Sequence, residues 1–129
     1  MIQKGTFLNV SDNSGAKKVC CLHIYKSKRN CAKIGDLILV SIKALRSSKR
    51  SKSKVKKGEI YKALIIRTKY FINKPRIINS CHFIGFSENS VVLLDKKNKT
   101  VGTRLMGPVL KQFKFTKYSR IISISSCLI

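Results

Sequence analysis

The residues able to carry out acid–base or metal chemistry are few and scattered. The acids are Asp12, Asp36, Glu59, Glu88 and Asp95, each standing alone in the chain, and the only histidines are His23 and His82. An enzyme that cuts or joins nucleic acid through metal ions needs clustered carboxylates, and none of the five acids has a close acidic neighbour. The five cysteines are Cys20, Cys21, Cys31, Cys81 and Cys127. They form no CxxC pair, and no second histidine lies three to five residues from either His, so the close anchor pairs of most zinc sites are missing. A site built from Cys20 or Cys21 with Cys31, Cys81 and His82 is conceivable. The favoured reading makes the cysteines small apolar fillers in a reducing compartment. Their odd number and the lack of a secretion signal argue against a disulfide framework. The expectation is a protein with no metal, no cofactor and no catalytic activity.

The positive charge points to a partner. In 129 residues, 28 Lys plus Arg oppose five acids, giving a formal net charge of +23. Such a chain repels itself, and a polyanion that releases counterions on binding relieves the repulsion. Nucleic acid is the first candidate and an anionic membrane surface the second. No stretch reaches the roughly 18 apolar residues of a spanning helix, so membrane insertion is not expected. The cations cluster. Residues 46–57 read RSSKRSKSKVKK, with Arg46, Lys49, Arg50, Lys52, Lys54, Lys56 and Lys57 and one apolar residue. This run is either a phosphate-binding loop or a solvated charge run, and it is not expected to enter a core. Serines between the cations would let it follow an irregular phosphate path. Lys17, Lys18, Lys26, Lys28 and Arg29 form a second cluster, and Arg67 and Lys69 a third at a strand end. Tyr25, Tyr61, Tyr70 and Phe71 could stack on unpaired bases, but barrel packing is the better reading for them.

These residues need a scaffold, and the pattern around them is mainly β. Strands are expected over 6–10, 16–25, 37–42 and 60–68. Residues 82–86 and 90–94 are expected to form a hairpin across Ser87-Glu88-Asn89. In 16–25, alternation places Val19, Cys21, His23 and Tyr25 on one face and Cys20, Leu22 and Ile24 on the other. The β-branched run 37–42 reads as a strand buried on both sides. Asp12-Asn13-Ser14-Gly15 is a turn, with Asn9, Asp12 and Asn13 as its scaffold. Gly102, Gly107 and Pro108 mark a shaped loop. Pro108 suits the first turn of a short helix to about Phe113, and Thr116 could cap a second helix from Lys117. Short strands at regular turn spacing point to a closed β-barrel. With 43% hydrophobic residues and no linker or repeat, residues 1–129 read as one domain.

Taken together, these motifs resemble a known family. Leu8-Asn9-Val10-Ser11-Asp12-Asn13-Ser14-Gly15-Ala16, Gly35-Asp36, Val55-Lys56-Lys57-Gly58-Glu59 and Ala63-Leu64-Ile65-Ile66-Arg67-Thr68 are followed by Phe86-x-x-Asn89-x-x-Val92-Leu93-Leu94, Gly102-Thr103-Arg104-x-x-Gly107-Pro108 and Phe115-Thr116-Lys117. In this order they are similar to the fourteenth protein of the ribosomal large subunit, a universal family of bacteria and organelles. The resemblance covers the whole chain. It departs at Ser80-Cys81, where the family usually has an Asp-Gly turn, at longer connections over 47–53 and 69–79, and at Ser125-Ser126-Cys127 near the end.

The resemblance implies a closed five-stranded barrel, a β-ribbon and two short carboxy-terminal helices. It implies a structural constituent of the large subunit that binds large-subunit rRNA and neighbours the third and nineteenth large-subunit proteins. It also implies contact with small-subunit rRNA at an intersubunit bridge and docking of the ribosome-silencing factor at Thr103, Arg104 and Arg120, on a face turned away from the rRNA-binding charge. The alternative is a free-standing RNA chaperone of the OB type, which would be expected to carry an exposed aromatic ladder that this chain lacks. Lys outnumbers Arg and Ile outnumbers Ala, as in AT-rich genomes. The start at Met1 has no apolar or Arg/Ser-rich leader. Together with the departures, these features favour a mitochondrial-matrix ribosome over plastid or bacterial cytoplasm.

Overall fold

The computed structural model describes residues 2–25, 30–46, 54–70, 72–73 and 83–129. Five strands close a barrel in the order β1 (Phe7–Val10), β2 (Ala16–Ile24), β3 (Leu37–Leu45), β4 (Ile60–Arg67) and β7 (Ser90–Leu94). Closure comes from β1, which pairs antiparallel with β2 and parallel with β7 through Asn9↔Ser90 and Val10↔Val91. A barrel has no free edge, so its backbone groups pair internally. A ribbon of β5 (Ile72–Asn73) and β6 (Phe83–Ile84) stands apart from it. Downstream, β8 (Leu105–Val109) and β9 (Ser125–Leu128) pair in parallel around a 3-10 turn, Lys111–Phe115, and a one-turn helix α1 (Arg120–Ser123).

Two cores explain the hydrophobic patterning. Leu8, Val10, Val19, Cys21, Ile38, Val40, Ile42, Ala63, Ile65, Val91 and Leu93 fill the barrel. The alternate residues of β4 and β7, Leu64, Ile66, Val92 and Leu94, face outward but are covered by Leu105, Val109, Leu110, Phe113 and Ile121. Residues 63–66 and 91–94 therefore read as unbroken apolar runs because they are buried on both faces. Burying a side chain such as Ile121 or Phe113 contributes about 1.5–3 kcal/mol, which holds the carboxy-terminal segment on the barrel.

Several expectations are corrected. Burial on both sides belongs to β4 and β7 more than to 37–42, where Leu37 and Leu39 are only half-buried, and β3 runs on to Leu45. The 82–86/90–94 hairpin does not form: β6 pairs with β5, while β7 lies between β1 and β4. Alternation in β2 slips at bulges, so Ile24 joins Val19 and Cys21 inside while His23 is exposed; a bulge inserts one residue and flips the faces beyond it. Val55, the one apolar residue of 46–57, is 1% exposed and belongs to the barrel core, so that segment does reach the core.

The stretch read as loop and helix around Pro108 is strand β8. Its pairing advances from Leu105↔Ser125 to Pro108↔Cys127, three residues against two, so it carries a one-residue bulge at Gly107, whose φ is +81°. Gly and Pro at a bulge resemble a loop in sequence. Thr116 does not cap a helix beginning at Lys117. Its Oγ1 donates to the Phe113 carbonyl and accepts from the Tyr118 amide, shaping the turn that leads into α1.

Candidate nucleic-acid interface

Arg67 ends β4, and its partners Ser90 and Asn9 continue one row across β7 and β1. It was expected among the phosphate contacts, but it is 6% exposed and works inside the protein. Nη1 donates to the carbonyls of Met106 (3.0 Å) and Pro108 (3.4 Å), and Nη2 donates to Glu88 Oε1 (3.0 Å), Ser90 Oγ (3.2 Å) and Ser11 Oγ. Only Nε is buried without a partner among the described residues. The β8 bulge makes this possible, because a Cβ on Gly107 would occupy the space of Arg67 Nη1. Glu88 also accepts from Asn9 Nδ2 (2.8 Å) and Ser90 Oγ (2.8 Å). Burial pushes the Glu88 carboxyl up, but the hydrogen bonds from Asn9 and Ser90 and the Arg67 charge together outweigh it and hold the group below the usual carboxylate range. Burial lowers the Arg67 guanidinium, and Glu88 opposes that shift. The pair is a clamp that ties β8 to the barrel.

A second knot organises the end of the barrel beside it. Asp12 is fully buried; Oδ1 accepts from the Ser14 amide (2.9 Å) and hydroxyl, and Oδ2 from the Leu93 amide (3.0 Å). This frees Asn13 to reach across: its Oδ1 accepts from the Thr103 amide (2.8 Å) and the Arg104 amide (3.4 Å), and its Nδ2 donates to Thr103 Oγ1 (3.0 Å). Gly102 sits so close to Asp12 that a Cβ there would lie 2.6 Å from Asp12 Cβ. Asp12 and Asn13 thus serve as the scaffold their turn sequence implies.

The same turn collects the basic segments. The Arg46 amide donates to the Gly15 carbonyl (2.9 Å) and the Lys54 amide to the Ser14 carbonyl (3.0 Å), so the two residues that flank 47–53 are anchored on adjacent residues. Lys17 and Lys18 follow directly on β2, both exposed. Lys54 is exposed, with Nζ donating to the Val101 carbonyl (3.3 Å). Arg46 is half-buried, its Nη2 on the Val10 carbonyl (3.0 Å) and Nη1 on Met106 Sδ (3.3 Å). Lys56 and Lys57 are exposed in a turn closed by Glu59 Oε2, which accepts the Lys56 amide (2.9 Å). Lys69 is exposed beyond β4, its amide on Asn89 Oδ1 (2.8 Å). Lys26, Lys28, Arg29, Lys49, Arg50 and Lys52 lie outside the described residues.

Thr103, Arg104 and Arg120 are all exposed. The Leu105 amide donates to the Ile124 carbonyl (2.9 Å), which seats Arg104 beside the end of α1. Among the described residues no side chain or carbonyl takes the Arg104 guanidinium. The expected separation from the basic charge is not found: Thr103 hangs on Asn13, next to the Ser14 that holds Lys54, and Lys54 reaches Val101. The turn sequence signalled Asn13, but nothing local could reveal its contact with residues 90 positions away.

Among the aromatics, Tyr61 is half-buried with its hydroxyl on Glu59 Oε2 (3.1 Å), and Tyr25 packs edge-on against His23. Tyr70 is exposed, and Phe71 lies outside the described residues. Cys21 is buried, and desolvation raises its thiol. Cys81 and His82 lie outside the described residues, and no three His, Cys, Asp or Glu among the described residues are grouped to hold a metal. No described helix is long and apolar enough to cross a membrane.

The described residues thus form a small closed barrel with a ribbon, a carboxy-terminal cover and a basic end. The family model for ribosomal protein L14p/L23e matches residues 1–129, and the chain belongs to that family of large-subunit ribosomal proteins.

Proposed function

We propose that the chain binds large-subunit rRNA through the basic end of its barrel, as a single domain, and contributes there to the intersubunit face. The observation that carries this reading is the convergence of two sequence-distant basic clusters on one turn: Lys17 and Lys18 follow Ala16, while Arg46 and Lys54 are bonded to Gly15 and Ser14. Lysines on a rigid turn meet phosphates as point charges, and the site is positioned before binding. Lys56, Lys57 and Lys69 extend the surface, and Lys26, Lys28, Arg29, Lys49, Arg50 and Lys52 are proposed to add to it. Arg67 is left out, because its guanidinium is consumed internally.

Family membership supports a place beside the third and nineteenth large-subunit proteins and a contact with small-subunit rRNA. Thr103, Arg104 and Arg120 are the proposed docking surface for the silencing factor, now adjoining the rRNA-binding end. The composition supports a mitochondrial ribosome. Co-sedimentation tests the main reading. The protein should travel with the large subunit at moderate salt, and a Lys17→Ala/Lys18→Ala/Lys54→Ala variant should be stripped at lower salt. Stripping at the same salt as the unaltered protein would contradict it.

A further inference from the structure

Between β1 and β8 runs an open groove of about 480 Å³, lined by Asn9, Val10, Ser11, Lys17, Arg46, Arg67, Glu88 and Met106. That volume falls within the roughly 300–1,000 Å³ of small-ligand sites. The lining is graded. Lys17 and Arg46 make one end cationic. Met106, half exposed, forms an apolar wall. The far end is polar: Glu88, whose side chain is 42% exposed, with the Ser11 hydroxyl and the Asn9 amide.

We infer that this groove takes a single unpaired nucleotide of RNA, its base turned inward and its phosphate at Lys17. The inference rests on the rRNA-binding reading above and specifies what that surface recognises. Three features carry it. Arg46 is held by the Val10 carbonyl and touches Met106 Sδ, so its guanidinium plane is fixed at the groove wall instead of being free in solvent. A fixed guanidinium plane and a polarizable thioether are surfaces on which a base stacks. Among the described residues, Glu88 Oε2 accepts one hydrogen bond, from Asn9, which leaves that oxygen able to accept an amino or imino N–H from a base edge. Glu88 is paired with Arg67 at 3.0 Å, so the far end is polar without net charge, while Lys17 and Arg46 leave the other end cationic; a base at the polar end with one phosphate at the Lys17 end matches that distribution.

The test uses the full chain and three short RNA duplexes: fully paired, with one bulged nucleotide, and with an abasic residue in the bulge. Affinities are measured by fluorescence anisotropy at one fixed salt concentration and again over a salt series. Stacking of one base corresponds to about a tenfold gain. The bulged duplex should bind about tenfold more tightly than the paired one, and the abasic duplex should lose that gain. Met106→Ala should abolish the bulge preference, and Met106→Leu, which keeps an apolar wall but loses the thioether and its contact with Arg46, should reduce it. Met106 is exposed and bonded only by its backbone and by Arg46, and a thermal melt of each variant checks folding. If the three duplexes bind equally with a steep salt dependence, the groove proposal falls while rRNA binding stands. If none binds in a salt-dependent way, both fall.

Discussion

At the scale of single residues, the chain uses its scarce acids as fasteners. Glu88 and Arg67 together join β1, β4, β7 and β8, and Asp12 closes the turn beneath the basic end. Arg67→Met should lower stability by about 2–4 kcal/mol in urea unfolding, below the fully buried case because Glu88 keeps partial contact with water. Glu88 also predicts a pH effect. Its folded pKa lies below the ordinary carboxylate value, so the folded state binds fewer protons than the unfolded one as pH falls through that range. Its stabilisation is fully present above about pH 4.5 and is lost as pH drops through the folded pKa. Urea midpoints from pH 6 to pH 3 should fall less steeply for Glu88→Gln than for the unaltered chain. Equal slopes would show that the carboxylate is not held in its charged form by folding.

At the scale of elements, the β8 bulge and the anchored flanks of the 46–57 segment decide how the site is presented. Gly107→Ala forces a side chain into a left-handed backbone and into the Arg67 guanidinium. About 2–4 kcal/mol of destabilisation is expected, read as a fall in the urea midpoint. Residues 47–53 are all Ser, Lys or Arg, and their flanks are held by adjacent residues of one turn. Replacing 47–53 with two glycines should leave the melting temperature within a few degrees, provided Val55 remains, whereas Val55→Asp should unfold the barrel end by burying an unpaired charge. The strands of the barrel were legible because alternation and β-branched runs are local signals. The β5–β6 pairing, the parallel β8–β9 pair and the docking of Arg67 were not, because each depends on contacts between distant residues. Arg67 in particular stands at a strand end beside Lys69, and sequence alone does not distinguish an exposed cation there from one that reaches back under β8.

At the scale of the whole molecule, a net charge of +23 is gathered in part on one end of a rigid barrel, while the opposite faces of β4 and β7 are spent on packing. Thr103 and Arg104 adjoin the proposed rRNA-binding end, since Asn13 bonds both and the next residue, Ser14, holds Lys54. Ala at Thr103 and Arg104 is therefore expected to weaken silencing-factor docking about 5- to 100-fold, and to lower rRNA affinity slightly instead of leaving it untouched. Pull-down with assembled subunits and filter binding to rRNA measure the two effects. The central claim, that the turn at 12–16 gathers the phosphate-binding charge, is tested most directly by salt dependence. Large-subunit rRNA binding is measured over a salt series for the unaltered chain and for Lys17→Ala/Lys18→Ala/Lys54→Ala/Lys56→Ala. Each lost phosphate contact removes roughly 0.7–0.9 from the log–log slope, so the quadruple variant should flatten it by about 3. An unchanged slope with a folded variant would contradict the account and place the rRNA on another face.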